Sequence, residues 1–294
     1  MATSKPLILI TGKDGQLGKS LQDVAIRFKQ FEFLFTGKEI LNLTDKENVH
    51  QFFEKNKPAF CINTAAFTAV DLAETEREQA FLVNATAVSN LAKTCEEFNC
   101  LLLHISTDYV FSGEKNTRYA ETDISEPVNY YGVTKKAGEE FALQECKKTI
   151  IIRTSWLYSK YGKNFVKTML HLFATRDEIA VVGDQFGSPT YANELAVVLL
   201  KICSQVNEKN DFNAFGMYHY SDAGNISWYD FAMGIKKLSG TACSIRKITT
   251  KEYLTPAKRP AYAVFNTSKL ERTFGLQIKN WEENLAECLK NLHA

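Results

Sequence analysis

The chain has 294 residues, of which 45% are hydrophobic and 23% charged, and its formal net charge at pH 7 is +1. This composition is typical of a globular protein with two ordinary domains or one large one. It argues against a strongly basic nucleic-acid-binding chain, although a local patch stays open, and no apolar run approaches the ~20 residues of a membrane span. We therefore expect neither nucleic acid nor a membrane as partner.

The first half of the chain alternates apolar runs with amphipathic segments. The runs predict buried strands at residues 7–11, 31–35, 59–63, 101–106 and 149–153. Between them, apolar residues such as Leu17, Leu21 and Val24 recur three and four positions apart, as on one face of a helix. This alternation predicts an α/β fold, a doubly wound (Rossmann) parallel sheet with helices on both faces.

The second half is less regular. Helices are predicted at residues 163–174, 193–204, 227–238 and 281–292, strands at 178–182 and 217–220, and a loop at 204–215. We predict a dinucleotide-binding Rossmann domain at residues 1–155 and a smaller mixed α/β substrate-binding domain at 156–294. Residues 183–215 are expected to return to the first domain.

Seven scattered cysteines form no C-x-x-C pair, and no histidine stands at a ligand spacing from one. They predict neither a zinc site nor a disulfide framework, but buried free thiols in a reducing compartment. The apolar run near the start is too short for the core of a signal peptide. We therefore expect a cytoplasmic protein.

A glycine-rich turn, T-G-K-D-G-Q-L-G, follows the first predicted strand, with Gly12, Gly15 and Gly18 three residues apart. Such glycines permit a tight turn, let the backbone approach a pyrophosphate and let the next helix pack closely, while the helix N-terminus offers N–H groups to phosphates. The spacing differs from the common G-x-G-x-x-G, and an ordinary loop is the alternative. The strand–turn–helix context favours dinucleotide binding.

The end of the second strand offers Lys38 beside Glu39. An acidic residue there favours NAD, whereas a cation suits the 2′-phosphate of NADP. Because Lys38 comes first, we favour NADPH and leave NADH open. The alternative is that both residues are solvated surface charges.

Tyr131 and Lys135 are separated by four residues, which places both on one face of a predicted helix. The preceding strand ends in Thr107 and Asp108, at the sheet edge where doubly wound folds bind ligands. A tyrosine protonates a carbonyl oxygen, a hydroxyl binds that oxygen, and a nearby ammonium is expected to lower the pKa of the phenol. The pattern predicts carbonyl reduction. His104, within the buried strand, is expected to be a core histidine.

Several motifs together resemble the dTDP-4-dehydrorhamnose reductase family of the extended short-chain dehydrogenase/reductase superfamily. The glycine turn and Y-x-x-x-K mark the superfamily. The segments V-D-L-A-E, S-T-D-Y-V-F and R-T-S-W resemble the branch, and the match runs from residue 7 to about 270. The resemblance implies an NADPH-dependent 4-ketoreductase that makes dTDP-L-rhamnose for polysaccharide biosynthesis.

The resemblance also implies roles for individual residues. The catalytic residues would be Thr107, Tyr131 and Lys135. The cofactor would meet Gly12, Gly15, Gln16, Leu17, Gly18, Lys38, Asn42, Leu43, Ala65, Ala66, Phe67, Tyr131 and Lys135. The dTDP-sugar substrate would contact Thr107, Asp108, Trp156, Asn164, Gln185, Thr190 and Arg259.

Two departures from the family pattern bear on metal and cofactor. Some members bind magnesium at a dimer contact through carboxylates, where this chain has Lys19 and Ser20. We therefore expect no metal, and either a monomer or a homodimer. Phe67 replaces a more polar aromatic residue at the cofactor cleft.

Two alternatives to a dTDP-sugar 4-ketoreductase stay open. They are a non-catalytic NADP-binding subunit resembling the regulatory subunit of methionine adenosyltransferase, or another sugar-nucleotide ketoreductase or epimerase.

Overall fold

A six-stranded parallel sheet forms the centre of the computed structural model, which describes residues 5–209 and 211–292. Its strands are β1 (Leu7–Thr11), β2 (Glu32–Thr36), β3 (Phe60–Asn63), β4 (Leu101–Thr107), β5 (Thr149–Thr154) and β10 (Gly216–His219). They lie in the order β10-β5-β4-β3-β1-β2 and all pair in parallel. The predicted Rossmann fold is confirmed, and the five predicted strands of the first half form within one residue of their predicted starts.

Helices cover both faces of this sheet. The helices of the chain are α1 (Gln16–Ala25), α2 (Lys46–Asn56), α3 (Arg77–Phe81), α4 (Ala87–Glu97), α5 (Tyr130–Glu145), α6 (Phe165–Thr175), α7 (Ala192–Glu208), α8 (Trp228–Ser239), α9 (Ser268–Phe274) and α10 (Trp281–Leu292). The apolar faces of α1, α7 and α9 share one hydrophobic cluster with the sheet. Those of α2, α4 and α5 form the cluster on the other face.

A second lobe has its own apolar core. It contains α6, α8, α10 and a parallel strand pair, β7 (Glu178–Val182) with β12 (Ser244–Ile248). Four short strands form two further pairs: β6 (Leu157–Tyr158) pairs with β9 (Thr190–Tyr191), and β8 (Phe186–Gly187) with β11 (Ile226–Ser227). Because β6 follows directly after β5, the chain enters this lobe from the carboxyl end of a central strand.

Two segments differ from the expectation for the second half. The loop predicted from Ser204 begins later, because α7 continues to Glu208. Val206 packs on the core, and the Gln205 side chain donates to the Phe274 carbonyl, so tertiary contacts extend the helix. The strand Gly216–His219 also joins the central sheet. It lies beyond residues 183–215, the segment expected to return to the first domain. The division into two domains stays a prediction, and its residues 1–4, 210, 293 and 294 lie outside the described part.

All seven cysteines are buried and free of disulfides. Among the described residues, no helix has the length and apolar character that crossing a membrane requires.

Candidate active site

The glycine turn lies where the strand order reverses between β1 and β3. Gly12 has φ of +72°, and a side chain there would stand 2.7 Å from the backbone nitrogen of Ala65. A side chain at Gly18 would collide with the Gly12 carbonyl, so this glycine lets α1 pack against the turn. At Gly15 an added Cβ would meet only the Gly12 carbonyl, at 3.4 Å, so that backbone is approachable. The three glycines therefore have the separate roles expected for a dinucleotide turn.

The turn opens onto a cavity of about 790 Å³ along the carboxyl ends of the central strands. This volume falls in the range typical of ligand sites. Its lining includes fourteen of the predicted site residues: Gly12, Gly15, Gln16, Leu17, Lys38, Asn42, Leu43, Ala65, Ala66, Thr107, Asp108, Tyr131, Lys135 and Trp156. The three predicted catalytic residues and all predicted cofactor residues except Gly18 and Phe67 thus share one cavity.

Charges at the end of β2 are arranged around Gly37. Lys38 is exposed and lines the cavity, whereas Glu39 folds back over Gly37 and forms an ion pair with Lys13 of the glycine turn. Hydrogen bonding to Lys13 lowers the pKa of Glu39. The acidic group at the position that favours NAD is therefore partly neutralised by a neighbouring lysine.

Helix α5, which carries Tyr131 and Lys135, begins close to the turn that follows β4. Asn129 caps it by accepting a hydrogen bond from the Gly132 backbone at 2.8 Å. A side chain at Gly132 would collide with the Tyr109 carbonyl, so this glycine lets α5 approach the turn that follows β4. Tyr131 and Lys135, one helical turn apart, are consequently buried beside Thr107 and face the same cavity.

The electrostatics of Tyr131 differ from the expectation. We expected Lys135 to lower the pKa of the phenol, but burial raises that pKa, and the charge of Asp108 adds to the rise. A polar contact with Thr107 acts in the opposite direction. The expectation is wrong for the free protein because removal from water disfavours the phenolate more than its neighbours stabilise it.

Lys135 and Asp108 are also perturbed by burial. The Lys135 amine donates to the Ile105 carbonyl at 2.7 Å, and burial lowers its pKa to about 8. Burial raises the pKa of Asp108 to about 7, although its carboxylate accepts a hydrogen bond from the Thr107 hydroxyl at 3.0 Å. A cluster of perturbed titratable groups in a cleft is characteristic of a catalytic centre.

Asn84 joins the loop at Phe67 to helix α5, and the sequence analysis did not identify it. It lies in a π-helical turn at Leu82–Thr86. Its side chain accepts from the Phe67 backbone nitrogen at 2.8 Å and donates to the Phe67 carbonyl and the Thr134 hydroxyl, both at 3.0 Å. π-turns are frequent at functional sites, but a single sequence carries no signal for one.

Trp156 stands at the mouth of the cavity with φ of +46°, a conformation that bulky residues rarely adopt. Its indole stacks on Trp228, with ring centroids 3.5 Å apart and planes within 10°. A side chain at Gly187 would lie 2.6 Å from the Trp156 ring. Residues from two elements, β8 and α8, therefore fix this indole.

The chain is similar in sequence to a known protein family over nearly its whole length. The family model described as RmlD substrate binding domain matches residues 6–294. The dTDP-4-dehydrorhamnose reductase of Aggregatibacter actinomycetemcomitans is 40% identical over 293 residues, which cover 98% of each chain. The chain belongs to the dTDP-4-dehydrorhamnose reductase family.

Two solved structures of this family agree with the fold. The dTDP-4-dehydrorhamnose reductase of Bacillus anthracis, in complex with NADP, is 38% identical and superposes with a TM-score of 0.92 over 98% of this chain and 100% of that one. The Clostridium acetobutylicum protein is 40% identical, with the same TM-score and coverage. The family resemblance predicted from the motifs is confirmed.

Six predicted site residues do not line the cavity of this family member. Gly18, Phe67, Asn164, Gln185, Thr190 and Arg259 stand outside its lining. Phe67 packs in an apolar cluster beside Tyr131, and Thr190 is fully buried against Thr154. Asn164 caps α6, and its amide donates to the Gln16 side chain at 2.9 Å. Gln185 donates to Thr250 at 3.1 Å.

Arg259 is already paired. Its guanidinium donates to both carboxylate oxygens of Asp71 and to the Ala257 carbonyl. This bidentate contact lowers the pKa of Asp71. It also joins Asp71, which follows β3, to a loop 188 residues further along the chain. Sequence reasoning named Arg259 but had no signal for its partner.

The metal expectation concerns Lys19 and Ser20, the positions at which some family members have carboxylates. Over residues 5–209 and 211–292, no group of three or more His, Cys, Asp or Glu side chains could hold a metal ion.

Proposed function

We propose that this chain is a dTDP-4-dehydrorhamnose reductase. It would reduce the 4-keto group of dTDP-6-deoxy-L-lyxo-4-hexulose to dTDP-L-rhamnose with NADPH. The observation that carries the proposal is the burial of Thr107, Tyr131 and Lys135 in the cavity that the glycine turn borders. The names of relatives up to 40% identical over nearly the whole chain support the same reaction.

The residues present fit a dinucleotide. Gly12 and Gly15 leave backbone that a pyrophosphate can approach, and the N-terminus of α1 adds N–H groups. Gln16 and Leu17 continue this wall, and Gly18 lets α1 pack behind it. Asn42, Leu43, Ala65, Ala66 and Phe67 are proposed for the adenine and nicotinamide sides. When bound, the reduced nicotinamide supplies the hydride that no side chain can supply. Lys38 is proposed to meet the 2′-phosphate of NADPH.

Tyr131 is proposed as the general acid. Because burial raises the pKa of its phenol, Tyr131 keeps its proton in the free protein, which is the form that protonates a carbonyl oxygen. Thr107 would donate to the same oxygen, since its hydroxyl can turn from Asp108 toward a substrate. Lys135 would hold the nicotinamide ribose and stabilise the phenolate left after proton transfer.

The sugar nucleotide is proposed to enter beside Trp156 and Asp108, which line the cavity. Asn164, Gln185, Thr190 and Arg259 stay proposals for the nucleotide and diphosphate. For Arg259, a diphosphate would have to compete with Asp71 for the guanidinium. A cytoplasmic protein, monomeric or dimeric, would suit a nucleotide-sugar substrate.

Incubation with NADPH and the dTDP-4-keto sugar tests the proposal. We expect one NADPH to be oxidised for each dTDP-L-rhamnose formed, with product identity checked by NMR. An epimerase reuses its cofactor, so product formation without net NADPH loss would contradict the proposal. UDP and GDP analogues in parallel reactions would show which nucleotide is accepted.

A further inference from the structure

We propose that His104 is a positioning residue that donates a hydrogen bond to a neutral Lys135 amine in the free protein, so that dinucleotide binding is coupled to proton uptake by Lys135. The hydrogen bond is a property of the chain alone. Its consequence for binding rests on the proposed function.

The neighbours of Asn63 fix the orientation of its side-chain amide. The backbone nitrogen of Ala65, which can only donate, lies 3.2 Å from Oδ1 of Asn63, and the Thr11 hydroxyl donates to the same oxygen at 2.7 Å. The Asn63 NH₂ group therefore points to Nδ1 of His104, 3.1 Å away. This nitrogen of His104 must act as the acceptor.

The orientation of Asn63 determines the tautomer of His104. A neutral imidazole has one N–H, so an accepting Nδ1 places the proton on Nε2. Nε2 lies 3.3 Å from the Lys135 amine nitrogen. An ammonium only donates and would oppose this N–H, whereas a neutral amine accepts from it and still donates to the Ile105 carbonyl.

Burial disfavours an ammonium at Lys135 and outweighs the Glu139 charge, which acts in the opposite direction. On its own helix it faces Tyr131 and Glu139, and Glu139 is engaged by two hydrogen bonds from Arg153. From β4 and the turn after it, His104 and Asp108 face the same region. Burial lowers the pKa of Lys135 to about 8 and that of His104 well below its usual value, in agreement with the hydrogen-bond pattern.

Dinucleotide binding would change this balance. Lys135 lines the same cavity as the glycine turn, and a bound pyrophosphate brings negative charge into a site of low dielectric. Negative charge favours the ammonium, so Lys135 takes up a proton on binding at a pH where it is partly neutral. At about pH 8 and above, cofactor binding thus increases the fraction of molecules that carry the cation that stabilises a phenolate.

The tautomer is tested directly by ¹⁵N NMR of the histidines in the free protein. At pH 9, where an amine with a pKa of about 8 is mostly neutral, we expect the His104 signals to show a neutral ring protonated on Nε2, with the assignment made by their loss in His104→Gln. A ring protonated on Nδ1, or an imidazolium, would overturn the proposal. This measurement needs neither cofactor nor turnover.

Proton uptake is tested by calorimetric titration of NADPH in buffers that differ in ionisation enthalpy. With a pKa of about 8, Lys135 should take up about half a proton at pH 8. Lys135→Met measures the uptake by other groups. In His104→Gln, where an amide oxygen can accept from an ammonium, we expect less than half of the wild-type uptake. Equal uptake in wild type and Lys135→Met would overturn the coupling, whereas absent sugar turnover would contradict only the proposed reaction.

Discussion

Removal of the Asn84 side chain should weaken cofactor binding indirectly, because Asn84 holds a loop that borders the proposed cofactor site. Asn84 holds both backbone groups of Phe67 and the Thr134 hydroxyl. In Asn84→Ala, the loop that carries Ala65 and Ala66 loses its attachment to α5. The backbone groups of Phe67 and the Thr134 hydroxyl each lose a hydrogen-bond partner.

The magnitude follows from these contacts. Three hydrogen bonds at roughly 0.5–1.5 kcal/mol each amount to about 1.5–4.5 kcal/mol. Part of this loss lowers global stability, and part appears as a loop that must be reordered when the dinucleotide binds. If about 1.4 kcal/mol falls on binding, the Kd for NADPH rises about tenfold.

Titration of NADPH by fluorescence, together with thermal unfolding, measures both parts. Asn284→Ala is the matched control, because Asn284 is equally buried but lies in the second lobe. We expect the control to alter the unfolding temperature and to leave the Kd unchanged. A folded Asn84→Ala protein whose Kd stays within about twofold of wild type would refute the reasoning.

Three further predictions concern other parts of the chain. Gly187→Ala should displace the Trp156 indole and raise the KM for the keto sugar several-fold, while the Kd for NADPH, measured by titration, stays unchanged. Glu39→Gln removes a carboxylate near the proposed 2′-phosphate site and frees Lys13, so the ratio of Kd values for NADH and NADPH should rise; an unchanged ratio would argue against a role for this pair. Burial raises the pKa of Asp222 to about 8. Because the folded form then binds the proton more tightly than the unfolded form, this group costs stability as pH rises from about 4 to about 8. The difference in unfolding temperature between Asp222→Asn and wild type should shift in favour of the variant over that range.

The parts of the site that could be predicted depend on local pattern. Apolar alternation predicts the sheet, because parallel strands are buried on both faces. The glycine turn and the spacing of Tyr131 and Lys135 are local as well, and chain connectivity places both at the carboxyl edge of the sheet. These features predict, without a structure, that the glycine turn, Tyr131 and Lys135 lie at one site.

The parts that could not be predicted arise from tertiary contacts. The pairing of Arg259 with Asp71 joins segments 188 residues apart, and the loop attachment through Asn84 requires the π-turn. The sign of the Tyr131 pKa shift also depends on burial, which the i,i+4 spacing to Lys135 does not reveal. For the same reason, His104 is a core histidine by sequence but contacts Lys135 in the fold.

The central claim is that the buried Tyr131 phenol acts as general acid on a 4-keto sugar nucleotide. Steady-state oxidation of NADPH should be compared in Tyr131→Phe and in Tyr130→Phe, a neighbouring change of the same size on the same helix. We expect Tyr131→Phe to lose about 100-fold or more in kcat with little change in the Kd for NADPH, and Tyr130→Phe to keep most of the activity. Equal rates in the two variants would contradict the claim.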